Sequence, residues 1–157
     1  MEYKITAHEA FNRNSDMVYR LAIARVKNKY DADDILQEVF LRFIKHKDKV
    51  ENEEHLKALL IRITINCSKT LLTSSWFKRT EPLSENLSVQ DEYSDTLDAV
   101  LRLPQKYRTV IHMHYYMGYS VDEIATILKS KPSTVKSWLH RARQKLKTDL
   151  EGDEINV

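Results

Sequence analysis

Tyr119-Ser120-Val121-Asp122-Glu123-Ile124-Ala125 and, a few residues on, Pro132-Ser133-Thr134-Val135-Lys136-Ser137-Trp138-Leu139-His140-Arg141-Ala142-Arg143 flank the short connection Lys129-Ser130-Lys131. Ser120 and Glu123 have the spacing of a capping box, in which each side chain satisfies a backbone N–H at the start of a helix. Tyr119 and Ile124 are placed for the hydrophobic staple that fixes the entering chain. A helix over Val121–Leu128 is predicted to bury Ile124, Ala125 and Leu128, and the small Ala125 lets another helix cross closely. Pro132 pre-sets the first turn of the next helix, with Ser133 or Thr134 available to cap it. In that helix Val135, Leu139, Ala142 and Leu146 recur at spacings of four, three and four, a buried stripe. Lys136, His140, Arg143 and Lys147 form the adjoining exposed edge, and Ser137, Arg141 and Gln144 lie beyond it.

Two helices in this arrangement are a helix-turn-helix, and the charge pattern gives the second one a partner. From Lys129 to Lys147 the chain carries seven basic residues and no acidic one, although its total net charge is only +2. A basic face hidden in a near-neutral chain fits a polyanion. One stripe would hold the helix on its support while the other offers donors to base edges and phosphates. An arginine such as Arg141 can pair bidentately with a guanine edge, worth about 1–3 kcal/mol of discrimination. Small Ser133 and Thr134 allow the helix start to approach the DNA backbone.

Upstream, Gly118 sits where a helix must end in a left-handed residue. Pro104 opens the helix before it, with Tyr107, Val110, Ile111 and His114 on one side. The segment Lys78 to Asp95 holds two basic and five acidic residues, Pro82 and several serines, and reads as a flexible linker. Before it lies a second helical unit. Thr6 and Glu9 are spaced as a capping box, Asp31 is placed to cap the next helix, and Asn52 a third. Ile35, Leu36, Val39, Phe40, Phe43 and Ile44 form one apolar stripe, with Asp34, Gln37, Glu38, Leu41 and Lys45 opposite. Leu56, Leu59, Leu60, Ile63 and Cys67 continue the pattern in the third helix.

With 2 Gly and 3 Pro in 157 residues, the chain has few turn-formers, so helices with short connections are expected. The expected fold class is all-α: two small helical domains joined by a flexible linker, the C-terminal one with the helix-turn-helix. No apolar run approaches the roughly 18 residues of a membrane span, no signal peptide is visible, and the single Cys67 has no disulfide partner. These features predict a cytoplasmic protein without membrane insertion.

Leu103-Pro104-Gln105-Lys106-Tyr107-Arg108 through Arg143 resembles region 4 of bacterial sigma-70-type factors. Asp31-Ala32-Asp33-Asp34-Ile35-Leu36-Gln37-Glu38-Val39-Phe40-Leu41-Arg42 resembles region 2.2, and Leu59-Leu60-Ile61-Arg62-Ile63-Thr64-Ile65-Asn66 resembles regions 2.3 and 2.4. The short length and family order resemble the extracytoplasmic-function (ECF) group. The resemblance implies a domain at 1–77 that binds core RNA polymerase and recognises and melts the minus-ten element. It implies an acidic linker at 78–95, a minus-thirty-five-reading domain at 96–150 and an acidic tail at 151–157. Asp34, Gln37, Glu38 and Leu41 would dock on the polymerase clamp helices. Asn66 would lie near the flipped minus-ten base, with Lys69, Trp76, Lys78 and Arg79 for stacking and phosphate contacts; Trp76 serves either stacking or packing. Ser133, Thr134, Lys136, Ser137, His140, Arg141 and Arg143 would contact the minus-thirty-five duplex. The implied partners are core RNA polymerase, promoter DNA and an anti-sigma factor, with no cofactor, metal or catalytic residue.

The chain departs from the family at named positions. Lys129 replaces the usual turn glycine, which predicts a backbone less dependent on positive φ. Ser133 replaces the glycine before Thr134. Trp138 replaces a frequent arginine and either forgoes a phosphate contact or packs against the first helix of the motif. Leu59 stands for a frequent tryptophan. One rival reading is a helix-turn-helix regulator that binds DNA independently of polymerase, which predicts a sensing unit with strands. Another is a small metalloenzyme. His112 and His114, two apart on a helix, point in different directions with no HExxH pattern or cysteine pair beside them, and His114 reads better as a satisfied histidine at the core edge.

Overall fold

The computed structural model describes residues 3–73 and 95–155. It divides the chain into two compact units, Met1–Leu87 and Ser88–Val157. All regular structure among the described residues is helical.

The first unit holds α1 (Ala7–Val26), α2 (Lys29–Ile44) and α3 (Glu53–Thr73), with a short 3-10 turn at Lys47–Lys49. Thr6 caps α1 by accepting from the Glu9 N–H, as the spacing predicts, but the Glu9 carboxylate bonds to the Thr6 hydroxyl rather than closing the reciprocal box. α1 ends on Lys27 in the left-handed region (φ 57°), its N–H donating to the Ile23 carbonyl at 2.9 Å. Asn28 follows at once and caps α2, its Oδ1 accepting from the N–H groups of Tyr30 and Asp31 at 2.8 and 3.2 Å. The predicted cap, Asp31, therefore lies inside the first turn, fully buried. Asn28, a preferred capping type directly before the helix, wins the position. Asn52 caps α3 as expected, accepting from the His55 N–H at 2.8 Å.

Ala10, Val18, Ala22, Ile35, Val39, Phe43, Leu56, Leu60, Ile63 and Cys67 form the core where the three helices meet. Ile44 departs from its predicted stripe and is 47% exposed. At about 100° per residue it falls roughly 40° past Phe40, beyond the buried arc. Tyr3 ties the N-terminal segment to α3 through a hydrogen bond to Glu53, which also pairs with Arg13 at 3.5 Å.

The second unit holds α4 (Asp95–Leu101), α5 (Gln105–Ile111), α6 (Val121–Leu128) and α7 (Pro132–Ile155). Between α5 and α6 the helix widens into a π segment, His112–Tyr116, and stops at Gly118 (φ 78°). The core is Ala99, Leu103, Tyr107, Val110, Met113, Ile124, Ala125, Ile127, Val135, Leu139 and Ala142. Ile127 is buried on α6, while the expected Leu128 is only half-buried. α7 runs on to Ile155, through most of the stretch expected as an acidic tail. Among the described residues no helix is long and apolar enough to cross a membrane.

Candidate functional site

The helix-turn-helix is built by local bonds. Both halves of the capping box are present on α6: Glu123 N–H donates to the Ser120 hydroxyl at 3.1 Å, and Ser120 N–H donates to the Glu123 carboxylate at 3.0 Å. The Ser120 backbone N–H first, and its hydroxyl second, hold the Glu123 carboxyl below its ordinary pKa. At the other end of α6 the expectation for Lys129 fails. Lys129 adopts φ 55°, the left-handed conformation that the family's glycine would take. Its N–H reaches Thr126 O at 3.3 Å and Ser130 N–H reaches Ala125 O at 2.9 Å, the paired bonds of a Schellman motif. The turn therefore keeps the glycine geometry with a lysine in it. Pro132 is the first residue of α7. Ser133 and Thr134, expected as caps, sit inside that first turn, where Thr134 N–H donates to Lys131 O at 3.0 Å.

Val135, Leu139 and Ala142 are buried and Leu146 half-buried, so α7 turns the predicted stripe inward. Lys136, His140, Arg143 and Lys147 are exposed, and they fall within about 40° of one line along the helix. Ser133 is exposed, and Thr134 and Ser137 are half-buried. Arg141 is exposed but stands about 140° from Lys136 around the helix axis. It lines a groove of about 590 Å³ with Gln144, Lys145, Leu103, Pro104 and Tyr107. Arg143 is held from the π segment: its Nε donates to the Tyr115 hydroxyl at 2.6 Å, with the guanidinium 5.6 Å from the ring centroid.

Trp138 is half-buried, and its ring takes the Lys106 ammonium of α5 at 5.7 Å. It therefore meets α5, where packing against the first helix of the motif was one expectation. His114 bonds through Nδ1 to Tyr119 O at 2.7 Å. A carbonyl can only accept, so Nδ1 carries the proton and the histidine is satisfied, as expected. Among the described residues no cluster of His, Cys, Asp or Glu could hold a metal.

In the first unit α2 presents the second predicted surface. Asp34, Gln37, Glu38 and Leu41 are all exposed, Leu41 at 61%. Glu38 is braced by Arg42 at 2.9 Å one turn on. Sequence reasoning missed two residues of this face. Tyr30 is 60% exposed, and Ile44 was assigned to the core. Tyr30, Asp34, Gln37, Leu41 and Ile44 recur at four, three, four and three, the spacing of one helical stripe. That spacing was legible, but large apolar types at its ends pointed to burial. Asn66 and Lys69 are exposed on α3, three residues apart on one face, with Arg62 half-buried a turn before Asn66. Cys67 is buried and its thiol is pushed up by desolvation. Trp76, Lys78 and Arg79 lie outside the described residues.

Comparison with known proteins bears on both surfaces. Sigma-70 region 2 matches residues 10–78, and Sigma-70, region 4 matches residues 94–146. RNA polymerase sigma factor SigV of Bacillus subtilis (strain 168) is 31% identical over 144 residues, covering 88% of this chain and 87% of that protein. ECF RNA polymerase sigma factor SigW of the same organism is 30% identical over 161 residues, covering 86% and 83%. Among solved structures, the sigma factor RpoE bound to the anti-sigma factor NepR from Bartonella quintana has a TM-score of 0.72 at 21% identity, covering 90% of this chain and 94% of that one. CnrH in complex with the cytosolic domain of CnrY has the same TM-score at 22% identity, covering 94% and 88%. These two share the fold. With both regions present in order, and relatives matched over most of their length, the chain belongs to the sigma-70 family and is an ECF RNA polymerase sigma factor.

Proposed function

We propose that residues 1–77 bind core RNA polymerase and the minus-ten element, that 96–150 read the minus-thirty-five element, and that the acidic stretch 78–95 links them. The exposed α2 stripe is the observation that carries this division. Asp34, Gln37, Glu38 and Leu41 stand on the side of α2 opposite Val39 and Phe43, which the core buries. Large apolar side chains left in water on one helix face mark an interaction site, and here they alternate with acidic and polar ones. The stripe is the docking surface for the polymerase, and Tyr30 and Ile44 extend it.

Asn66 and Lys69 contact the minus-ten strand, joined by Trp76, Lys78 and Arg79. On α7, Lys136, His140 and Arg143 face the minus-thirty-five duplex from one line, with Ser133, Thr134 and Ser137 at the approaching end. Arg141, on the flank, meets the duplex from the groove side. The protein works in the cytoplasm as a non-catalytic subunit. An anti-sigma factor binds it, as the anti-sigma factor NepR binds RpoE in the complex from Bartonella quintana. A regulator acting without polymerase would leave the α2 stripe without a partner.

Leu41→Asp and Ile44→Asp, made at exposed positions, should each weaken association with core polymerase at least about tenfold while the far-ultraviolet circular dichroism is unchanged. Wild-type affinity in both variants would reject α2 as the docking surface.

A further inference from the structure

In the π segment Met117 N–H bonds to His112 O at 3.1 Å, five residues back, and Tyr119 N–H reaches Met113 O at 3.0 Å. Such insertions into a helix recur at functional sites. Here the extra residue leaves Met113 buried while turning Tyr115 and Tyr116 outward, 56% and 65% exposed. Tyr116 stacks on His112, ring centroids 5.4 Å apart. Tyr115 instead reaches across to α7 and takes Arg143 by both hydroxyl and ring. Behind it, the His114 ring meets the Tyr115 ring edge-on at 4.9 Å, and His114 is itself fixed by the Tyr119 carbonyl. A chain of contacts thus runs from the backbone at the start of the motif to one arginine on the duplex-facing line.

An arginine has donors on three nitrogens. Tyr115 engages Nε, so the donors on the terminal amino groups remain for a ligand of α7. An unbraced arginine on an exposed helix face samples many rotamers and must give them up on binding. We propose that Tyr115 is a positioning residue for Arg143, holding its guanidinium in the orientation in which it clamps a DNA phosphate beside the minus-thirty-five element. The proposal rests on the reading of α7 as the duplex-contacting helix.

The test measures binding of polymerase carrying this protein to a promoter duplex over a range of salt, for Arg143→Ala, Tyr115→Ala, Tyr115→Phe and the double variant Tyr115→Ala/Arg143→Ala. Loss of one phosphate contact flattens the dependence of log K on log salt by about 0.9. Arg143→Ala and Tyr115→Ala should flatten it alike, the double variant should be no weaker than Arg143→Ala alone, and Tyr115→Phe, which keeps the ring, should fall between Tyr115→Ala and wild type. If Tyr115→Ala keeps the wild-type slope, or its loss multiplies with that of Arg143→Ala, Tyr115 does not position Arg143. If Arg143→Ala leaves affinity and slope unchanged, the proposal also fails. Lys136→Ala and His140→Ala, measured beside them, separate that result from failure of the α7 reading, which requires those two to be silent as well.

Discussion

At the scale of single residues, two lysines do what glycine usually does. Lys27 and Lys129 both end helices at positive φ. The left-handed conformation costs a residue with a Cβ about 1–2 kcal/mol, and the Schellman bonds around Lys129 offset it. Lys129→Gly should therefore stabilise the second unit by roughly 1 kcal/mol after the extra unfolded-state entropy of glycine is subtracted, read as a rise in the midpoint of urea unfolding. No change or a fall would mean that Lys129 is not strained. Asp31 is the opposite case, a residue whose environment opposes its charge. Its carboxyl is buried, neither oxygen has a hydrogen-bond partner among the described residues, and desolvation, followed by the nearby Asp34, raises its pKa. A carboxyl whose folded pKa is raised binds its proton more tightly in the folded state, so its contribution to stability falls as pH rises through the window from its ordinary to its raised value. At neutral pH it costs stability. Asp31→Asn should raise the melting temperature at pH 7, and the gain should shrink on acidification toward pH 4. A variant no more stable than wild type at pH 7 would show that the carboxylate is accommodated.

The helices were legible where pattern and chemistry agreed. The capping box of α6 and the buried stripe of α7 follow from spacing alone, because a period near 3.6 leaves one face for the core. Removing the Ser120 hydroxyl by Ser120→Ala should cost the second unit about 1 kcal/mol, measured by thermal melting, and an unchanged midpoint would make the box ornamental. Two of the misses share a cause: neighbouring residues competed for one role. Asn28 outcompeted Asp31 as the α2 cap, and Pro132 took the first position of α7 while Ser133 and Thr134 moved inside. Ile44 was assigned to the core by its type, although its position belongs with Leu41 on the exposed stripe. The π segment left no sign in the sequence, since its extra residue shifts register by less than one turn. With it the Tyr115–Arg143 contact was hidden, spanning 28 residues between two elements.

For the whole molecule, the division into two helical units was readable from the acidic, serine-containing stretch between two amphipathic patterns, and the described helices fall on either side of it. What pattern alone could not supply was why one chain needs both units. The α2 stripe and the α7 face carry different chemistry, one acidic and apolar, the other basic. On the proposed reading a protein and a polyanion are the corresponding partners, held at once in the polymerase complex. The most direct measurement is run-off transcription from a genomic promoter library by core RNA polymerase with and without the protein. The account predicts transcripts from a defined set of promoters only when the protein is present, and their loss with Leu41→Asp. Transcription that stays at the level of core alone would contradict it.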